Sequence, residues 1–241
     1  MKTVAIIQAR LGSTRLPGKV LRPLGGKTMI ECVMQRLADC KKIDQLVIAT
    51  TTQPADRKLI EFCRDRNWNF HAGSEHDVLS RYVETAEKYS ADQIVRITSD
   101  CPLIDPGLVD QTVDRMDTVR GIDYACNFHP RRRFPRGLDC EAMTRETLTR
   151  IDRLATTAQY REHVTLYAYR HPEKFTIASI NQTDDWSHLR WTVDTEDDLT
   201  LASEIYRHFG NKPFDWKQII EAYATHPTWI EINRHCLQKT A

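Results

Sequence analysis

Apolar residues along this chain follow two alternating rhythms. Residues 4–9, 45–51, 69–72 and 93–98 are short runs rich in β-branched or other apolar side chains, whereas 29–40, 55–67, 77–89 and 106–119 place apolar positions at helical spacing. Short apolar runs bounded by polar turns read as buried strands, and the longer amphipathic stretches read as helices. Their alternation predicts βαβ units and an α/β fold with a mostly parallel sheet. Pro106 suits a first helical turn, where its missing N–H is not needed, and Asp105 before it suits the cap.

The regular pattern weakens between 127 and 186. A basic loop, a short strand near 141–143 and two helical stretches, 145–155 and 158–169, predict an insertion covering the site within a single domain spanning 1–241. The rhythm resumes as a predicted strand at 189–193. A helix follows, with Thr195 as its cap and Glu196 and Asp197 favourably placed at its start.

The 241 residues are 41% hydrophobic, enough for a substantial core. Lys and Arg number 34 against 33 Asp and Glu, so no overall basic field points to nucleic acid, and any recognition of anions must be local. The seven cysteines are odd in number and lack C-x-x-C spacing, which argues against a disulfide framework or a structural zinc. Strand-like sequence follows Met1-Lys2 without a signal-peptide pattern, and no apolar run approaches the roughly 20 residues of a membrane helix. A cytoplasmic protein without a membrane partner is expected.

Chemistry concentrates in residues 8–19, Gln-Ala-Arg-Leu-Gly-Ser-Thr-Arg-Leu-Pro-Gly-Lys, which leave the first predicted strand. Open α/β sheets bind ligands beyond the carboxyl ends of their strands. Ala9, Arg10, Leu11, Gly12, Ser13, Arg15 and Lys19 are therefore the candidate nucleotide contacts, with backbone N–H groups freed near Gly12 and Gly18. Five residues separate Gly12 from Gly18, and Val20 stands where a P-loop needs Ser or Thr. A G-x-G-x-x-G fingerprint is also missing. What remains is a triphosphate cradle, with Arg15 and Lys19 on the β and γ phosphates and Arg10 near the α phosphorus; an exposed basic turn is the plainer reading.

Asp100 and Asp194 each follow a predicted strand, so one sheet would bring both to a single rim. Such a pair suits Mg²⁺, which takes one or two carboxylates plus phosphate oxygens. Asp194 also reads as a simple helix cap. Asp77 and Arg81 share one helical face, compatible with a surface ion pair. His129 to Arg136 is the densest basic cluster, and its guanidinium forks suit an anionic acceptor. Glu162 and His163 are candidates for the same pocket, although His163 also reads as a core histidine.

The 8–21 segment resembles the opening of the spore-coat polysaccharide cytidylyltransferases, relatives of the CMP-sialic acid and CMP-ketodeoxyoctonate synthetases. Further similar segments follow in order: Gly73-Ser74-Glu75-His76-Asp77-Val78-Leu79-Ser80-Arg81-Tyr82, Asp100-Cys101-Pro102-Leu103-Ile104-Asp105, Pro135-Arg136-Gly137-Leu138-Asp139-Cys140-Glu141, Arg161-Glu162-His163-Val164-Thr165 and Trp191-Thr192-Val193-Asp194-Thr195. The resemblance implies a three-layer α/β/α sandwich, Rossmann-like, using CTP and an anionic acceptor, releasing pyrophosphate and leaving a CMP-linked product. It further implies Mg²⁺ on Asp100 and Asp194, cytidine near Asp77, Arg81 and Ser99, the acceptor near Arg136, Glu141, Glu162 and His163, and a homodimer contacting through 127–186. Ser99 departs from the family, which has glycine there. The expected chemistry is in-line attack of an acceptor oxygen on the α phosphorus, with Arg10 and Lys19 stabilising charge and Glu141 as a possible base. The competing readings are a metal-dependent glycosyltransferase and a catalytically silent nucleotide-binding regulator.

Overall fold

The computed structural model describes residues 1–238. Strand β1 (Thr3–Gln8) runs into the basic loop and a small hairpin, β2 (Pro23–Leu24) and β3 (Lys27–Thr28). Then come α1 (Met29–Ala38), β4 (Gln45–Thr51), α2 (Arg57–Asp65), β5 (Asn69–Gly73), α3 (Val78–Lys88), β6 (Gln93–Thr98) and α4 (Pro106–Thr118). The second half contributes β7 (Tyr124–Cys126), β8 (Glu141–Thr144), α5 (Arg145–Leu154), α6 (Ala158–Glu162), α7 (Leu166–Arg170), β9 (Ile177–Ser179), α8 (Glu196–Phe209), α9 (Trp216–Ala222) and α10 (Trp229–Asn233).

Seven strands form one sheet in the order β5-β4-β1-β6-β8-β7-β9. Only β8 runs antiparallel to its neighbours. Side chains alternate between the faces of a strand, and both faces are buried here. On β1, Ala5 and Ile7 pack with residues of α1, α2, α4 and α8, while Val4 and Ile6 pack with α3, α5 and α7. This is the expected three-layer sandwich. A third apolar cluster, including Trp191, Trp216 and Trp229, seats α9 and α10 beside α8.

Local chemistry sets the helix starts. Thr28 with Glu31 and Thr195 with Asp198 form reciprocal capping boxes. Asp105 accepts from Leu108 N at 3.0 Å and from Trp216 N at 2.9 Å, so it fixes the starts of α4 and α9 together.

Two expectations need correction. The 127–186 segment is not only an insertion over the site, because β8 and β9 complete the central sheet and Met143, Leu148, Ile151 and Phe175 belong to its core. Nor does 189–193 form a strand of that sheet. Among the described residues its only ladder contact is a single bridge between Arg190 and Arg136, beside which Gly137 adopts φ 103°. A Cβ there would lie 2.5 Å from Thr192 N and 2.6 Å from Trp191 C, so the two segments approach as closely as they do because residue 137 has no side chain.

Candidate active site

The chain turns from β1 through α1 to β4 on one side and from β5 through α3 to β6 on the other. Crevices at such switch points are where open sheets take ligands. A cleft of about 580 Å³ lies there, lined among others by Ala9, Arg10, Gly12, Ser13, Thr14, Arg15, Lys19, Arg81, Arg96, Ser99, Asp100 and Asp194.

Backbone bonds shape the loop on its floor. Leu11 N donates to Asp56 at 2.6 Å, Gly18 N to Leu11 O at 3.1 Å, and Ala9 N to Ala49 O at 3.1 Å. Leu16 and Val20 are buried, so the loop is pinned from beneath while its cations face the cleft. Leu11 does not line the cleft; it packs against the core below. Asp56, itself tied to the Thr51 hydroxyl, is a support that the sequence pattern did not single out.

The two expected carboxylates meet on Lys19. Its Nζ lies 3.1 Å from Asp100 Oδ2, 2.8 Å from Asp194 Oδ1 and 2.9 Å from Val193 O. Burial alone would pull the Lys19 ammonium down, but Asp100 and Asp194 outweigh it and hold the pKa above the usual lysine value. Burial likewise pushes Asp100 up, and Lys19, Thr98 and Cys101 together bring it below the usual carboxylate value. The backbone explains the convergence: Val193 N donates to Asp100 O at 2.7 Å, tying the segment before Asp194 to the end of β6.

Asp194 is ringed by cations. Its Oδ2 lies 2.9 Å from Arg15 and 2.9 Å from Arg190, and Arg190 is fixed from behind by the fully buried Asp198 at 2.8 Å. Asp194 therefore pairs with cations and does not cap α8, whose cap is Thr195. Two hard-oxygen donors side by side at the cleft, with 27% and 13% of their side chains exposed, match the donor chemistry of Mg²⁺.

Other candidates fall differently. Arg10 reaches over the cleft to Glu75 at 3.1 Å. Asp77 does not pair with Arg81. It caps α3 through Ser80 N at 2.8 Å and binds Arg161 at 2.7 Å, so the expected contact between its carboxylate and the nucleotide is replaced by a structural one. Arg81 is 2% exposed, donates to Ser74 O and leaves its Nε without a partner among the described residues. A buried, unsatisfied guanidinium donor costs stability unless something else satisfies it, and this one borders the cleft. Arg96, whose Nε is also unpartnered among the described residues, reaches Gln8 at 3.2 Å and Glu141. Its charge interrupts the apolar run of β6, the one sequence signal that could have found it.

Of the residues expected at the acceptor, Glu162 and His163 line the cleft. Burial lowers the His163 pKa, so its imidazole is neutral at pH 7. Glu141 does not reach the cleft. It is 2% exposed, with its oxygens held by Arg96, Thr165 and, at 2.6 Å, Tyr124. The expected base is therefore an enclosed structural carboxylate. In the basic cluster, Arg131 pairs with Asp185 at 3.0 Å, Arg132 with Asp139 at 2.7 Å, and Arg133 donates to Thr183 O at 2.7 Å. Arg136 has no carboxylate partner among the described residues. It opens on a second cavity of about 400 Å³ with His188, Arg190 and Arg234, which shares no lining residue with the cleft but adjoins it where Arg190 meets Asp194.

A three-layer α/β sandwich thus carries a cationic loop, a lysine and two converging carboxylates at its switch point, an arrangement that suits phosphate binding. The profile of the cytidylyltransferase family matches residues 4–227, and the chain belongs to that family. It is 35% identical to uncharacterized protein MJ1063 of Methanocaldococcus jannaschii, over 100% of this chain and 98% of that one. It is also 35% identical to the spore coat polysaccharide biosynthesis protein SpsF of Bacillus subtilis, over 86% of this chain and 88% of that one. A cytidylyltransferase structure from Leptospira borgpetersenii superposes with a TM-score of 0.91 at 33% identity, covering 100% of both chains. The CTP complex of a CMP:2-keto-3-deoxy-manno-octonic acid synthetase shares the fold, with a TM-score of 0.66 at 21% identity over 86% of this chain and 99% of that one. Among the described residues, no helix is long and apolar enough to cross a membrane.

Proposed function

We propose that this chain transfers CMP from CTP to a small anionic acceptor, an acidic sugar or a phosphorylated or phosphonylated compound, with release of pyrophosphate. The observation that carries the reading is the meeting of Lys19, Asp100 and Asp194 against the 9–19 loop. The similarity to SpsF supports a place in surface polysaccharide synthesis. The reading includes a cytoplasmic homodimer, which light scattering checks.

In this proposal Asp100 and Asp194 hold Mg²⁺, which would neutralise phosphate oxygens and favour departure of pyrophosphate. Arg15 exchanges Asp194 for the β and γ phosphates, and Arg10 exchanges Glu75 for the α phosphate, so both ion pairs act as place-holders. Lys19 stays between the carboxylates, close enough to stabilise charge at the reacting phosphorus. Catalysis is chiefly positioning and charge neutralisation. Arg81, Ser99 and the loop N–H groups receive the nucleotide. Glu162 and His163 border the acceptor, and Arg136 with the second cavity offers a further anion contact. With Glu141 enclosed, a phosphate or phosphonate acceptor, already ionised, needs no base. The test is pyrophosphate release from CTP with a panel of acidic sugars and phosphorylated or phosphonylated acceptors. Release with none of them, or equally with other nucleoside triphosphates, contradicts the reading.

A further inference from the structure

The start of α8 and the segment after α10 bring three unlike metal donors to one point. Asp197 lies in the first turn of α8, and His235 and Cys236 are neighbours in the chain that follows α10. His235 Nε2 is 3.0 Å from Asp197 Oδ2, Cys236 Sγ is 3.3 Å from the Thr195 hydroxyl, and one donor atom from each of the three residues lies within 4.8 Å of the other two. Zinc bonds of about 2.0–2.3 Å in a tetrahedron set neighbouring ligand atoms roughly 3.3–3.8 Å apart. A contraction of at most about 1.5 Å separates the set from that spacing. A surface ion pair accounts for His235 and Asp197, but not for a soft sulfur donor at the same place.

The backbone delivering these groups is fixed independently of any ion. Asn233, 4% exposed, donates to Arg190 O at 2.9 Å and Asp198 Oδ1 at 2.8 Å, and Cys236 N closes a turn onto Asn233 O at 2.9 Å. The capping box of Thr195 and Asp198 fixes the α8 end. Ligands held on preorganised backbone lose less freedom on binding.

We propose that Asp197, His235 and Cys236 bind one Zn²⁺, with water completing the shell, and that the ion fastens the C-terminal segment to the start of α8. The donor set separates this site from the Asp100 and Asp194 pair, since thiolate and imidazole suit zinc whereas Mg²⁺ takes oxygen ligands. Binding displaces the Cys236 thiol proton to solvent. Spacing between cysteines gives no hint of the site, because its third ligand comes from a distant helix. The fastened segment lies against the nucleotide site: Leu237 O accepts from Arg15 at 3.5 Å, and Gln238 accepts from Arg190.

The test uses the full chain dialysed against Zn²⁺ alone, and separately loaded with Co²⁺ as a spectroscopic probe. Expected are one zinc per chain at micromolar free metal, a thiolate-to-cobalt absorption band absent from Cys236→Ser, and affinity lowered more than about tenfold by His235→Ala. Melting curves establish that the variants fold, and Asp197→Asn provides a further variant. All three retain Mg²⁺-dependent pyrophosphate release. Failure to retain zinc, a cobalt spectrum without the thiolate band, or zinc lost in Asp100→Asn but not in His235→Ala overturns the proposal.

Discussion

Replacing Gly137 by alanine probes the contact that holds the Asp194 segment in place. The perturbation has two parts. At φ 103° any L side chain is strained, and the new Cβ meets backbone atoms of Trp191 and Thr192 at 2.5–2.9 Å, which no side-chain rotation relieves. Gly121 supplies the control, with φ 76° and nothing within 4 Å of an added Cβ. Gly121→Ala should cost only the backbone strain, about 1–2 kcal/mol. Gly137→Ala adds overpacking of about 1–3 kcal/mol, for roughly 2–5 kcal/mol in all. At about 2–4 °C per kcal/mol for a chain of this size, thermal melts by circular dichroism separate the two variants. Because Trp191 N donates to Arg136 O at 2.6 Å and Val193 N to Asp100 O at 2.7 Å, the shift in Gly137→Ala also displaces Asp194, and turnover falls beyond any loss of folded protein. Equal melting temperatures for the two variants would refute the reasoning.

Asp198→Ala leaves Arg190 facing a buried void and should cost about 3 kcal/mol, the lower end for a broken buried pair because Arg190 keeps Asp194; urea unfolding measures it. Arg136→Ala should raise the KM for the acceptor about tenfold or more with little change in melting temperature, whereas Glu141→Gln should lower the melting temperature and leave that KM alone. Steady-state kinetics showing the reverse pattern would reassign the acceptor contact. Asp77, Asp100 and Asp198 titrate below ordinary carboxylates in the folded chain, so their stabilisation is present above about pH 4 and is lost as pH falls through their lowered values. Lys19 has the opposite sign: raised in the folded chain, it contributes fully below about pH 10 and loses that contribution as pH rises through its folded value. Stability measured across pH should fall at both ends, and Lys19→Met should remove part of the alkaline fall.

The first half of the fold was legible because β1, β4 and β6 are largely buried and read as short apolar runs, broken in β6 only by Arg96, between amphipathic helices. Asp105 and Thr195 were readable as caps from their places before Pro106 and before an acidic first turn. The second half was obscured because β7 and β9 are only three residues long, too short for a period to show, and the 158–169 stretch breaks into α6 and α7 around His163. The alternation at 189–193 suggested a strand because Trp191 and Val193 are buried, but that burial serves the α9 and α10 cluster and the packing on α8 rather than a sheet ladder. Lys19, Asp100 and Asp194 were visible as charges at element ends. Their supports were not: Asp56 holds the backbone N–H of distant Leu11, and Arg190 reads as a position in a predicted strand, which hides its pairing with Asp194 and Asp198 around the start of α8. Asp77 and Glu141 were visible yet belong to structural ion pairs, a difference that only three-dimensional partners reveal.

The most direct measurement is titration calorimetry of CTP into the wild type, Asp100→Asn and Asp194→Asn, with and without Mg²⁺. If both carboxylates hold the ion beside the triphosphate, Mg²⁺ tightens CTP binding to the wild type by about tenfold or more. Neither variant gains, and without the ion each binds CTP at least as well as the wild type because a repelling charge is gone. An equal gain from Mg²⁺ in all three proteins would contradict the account.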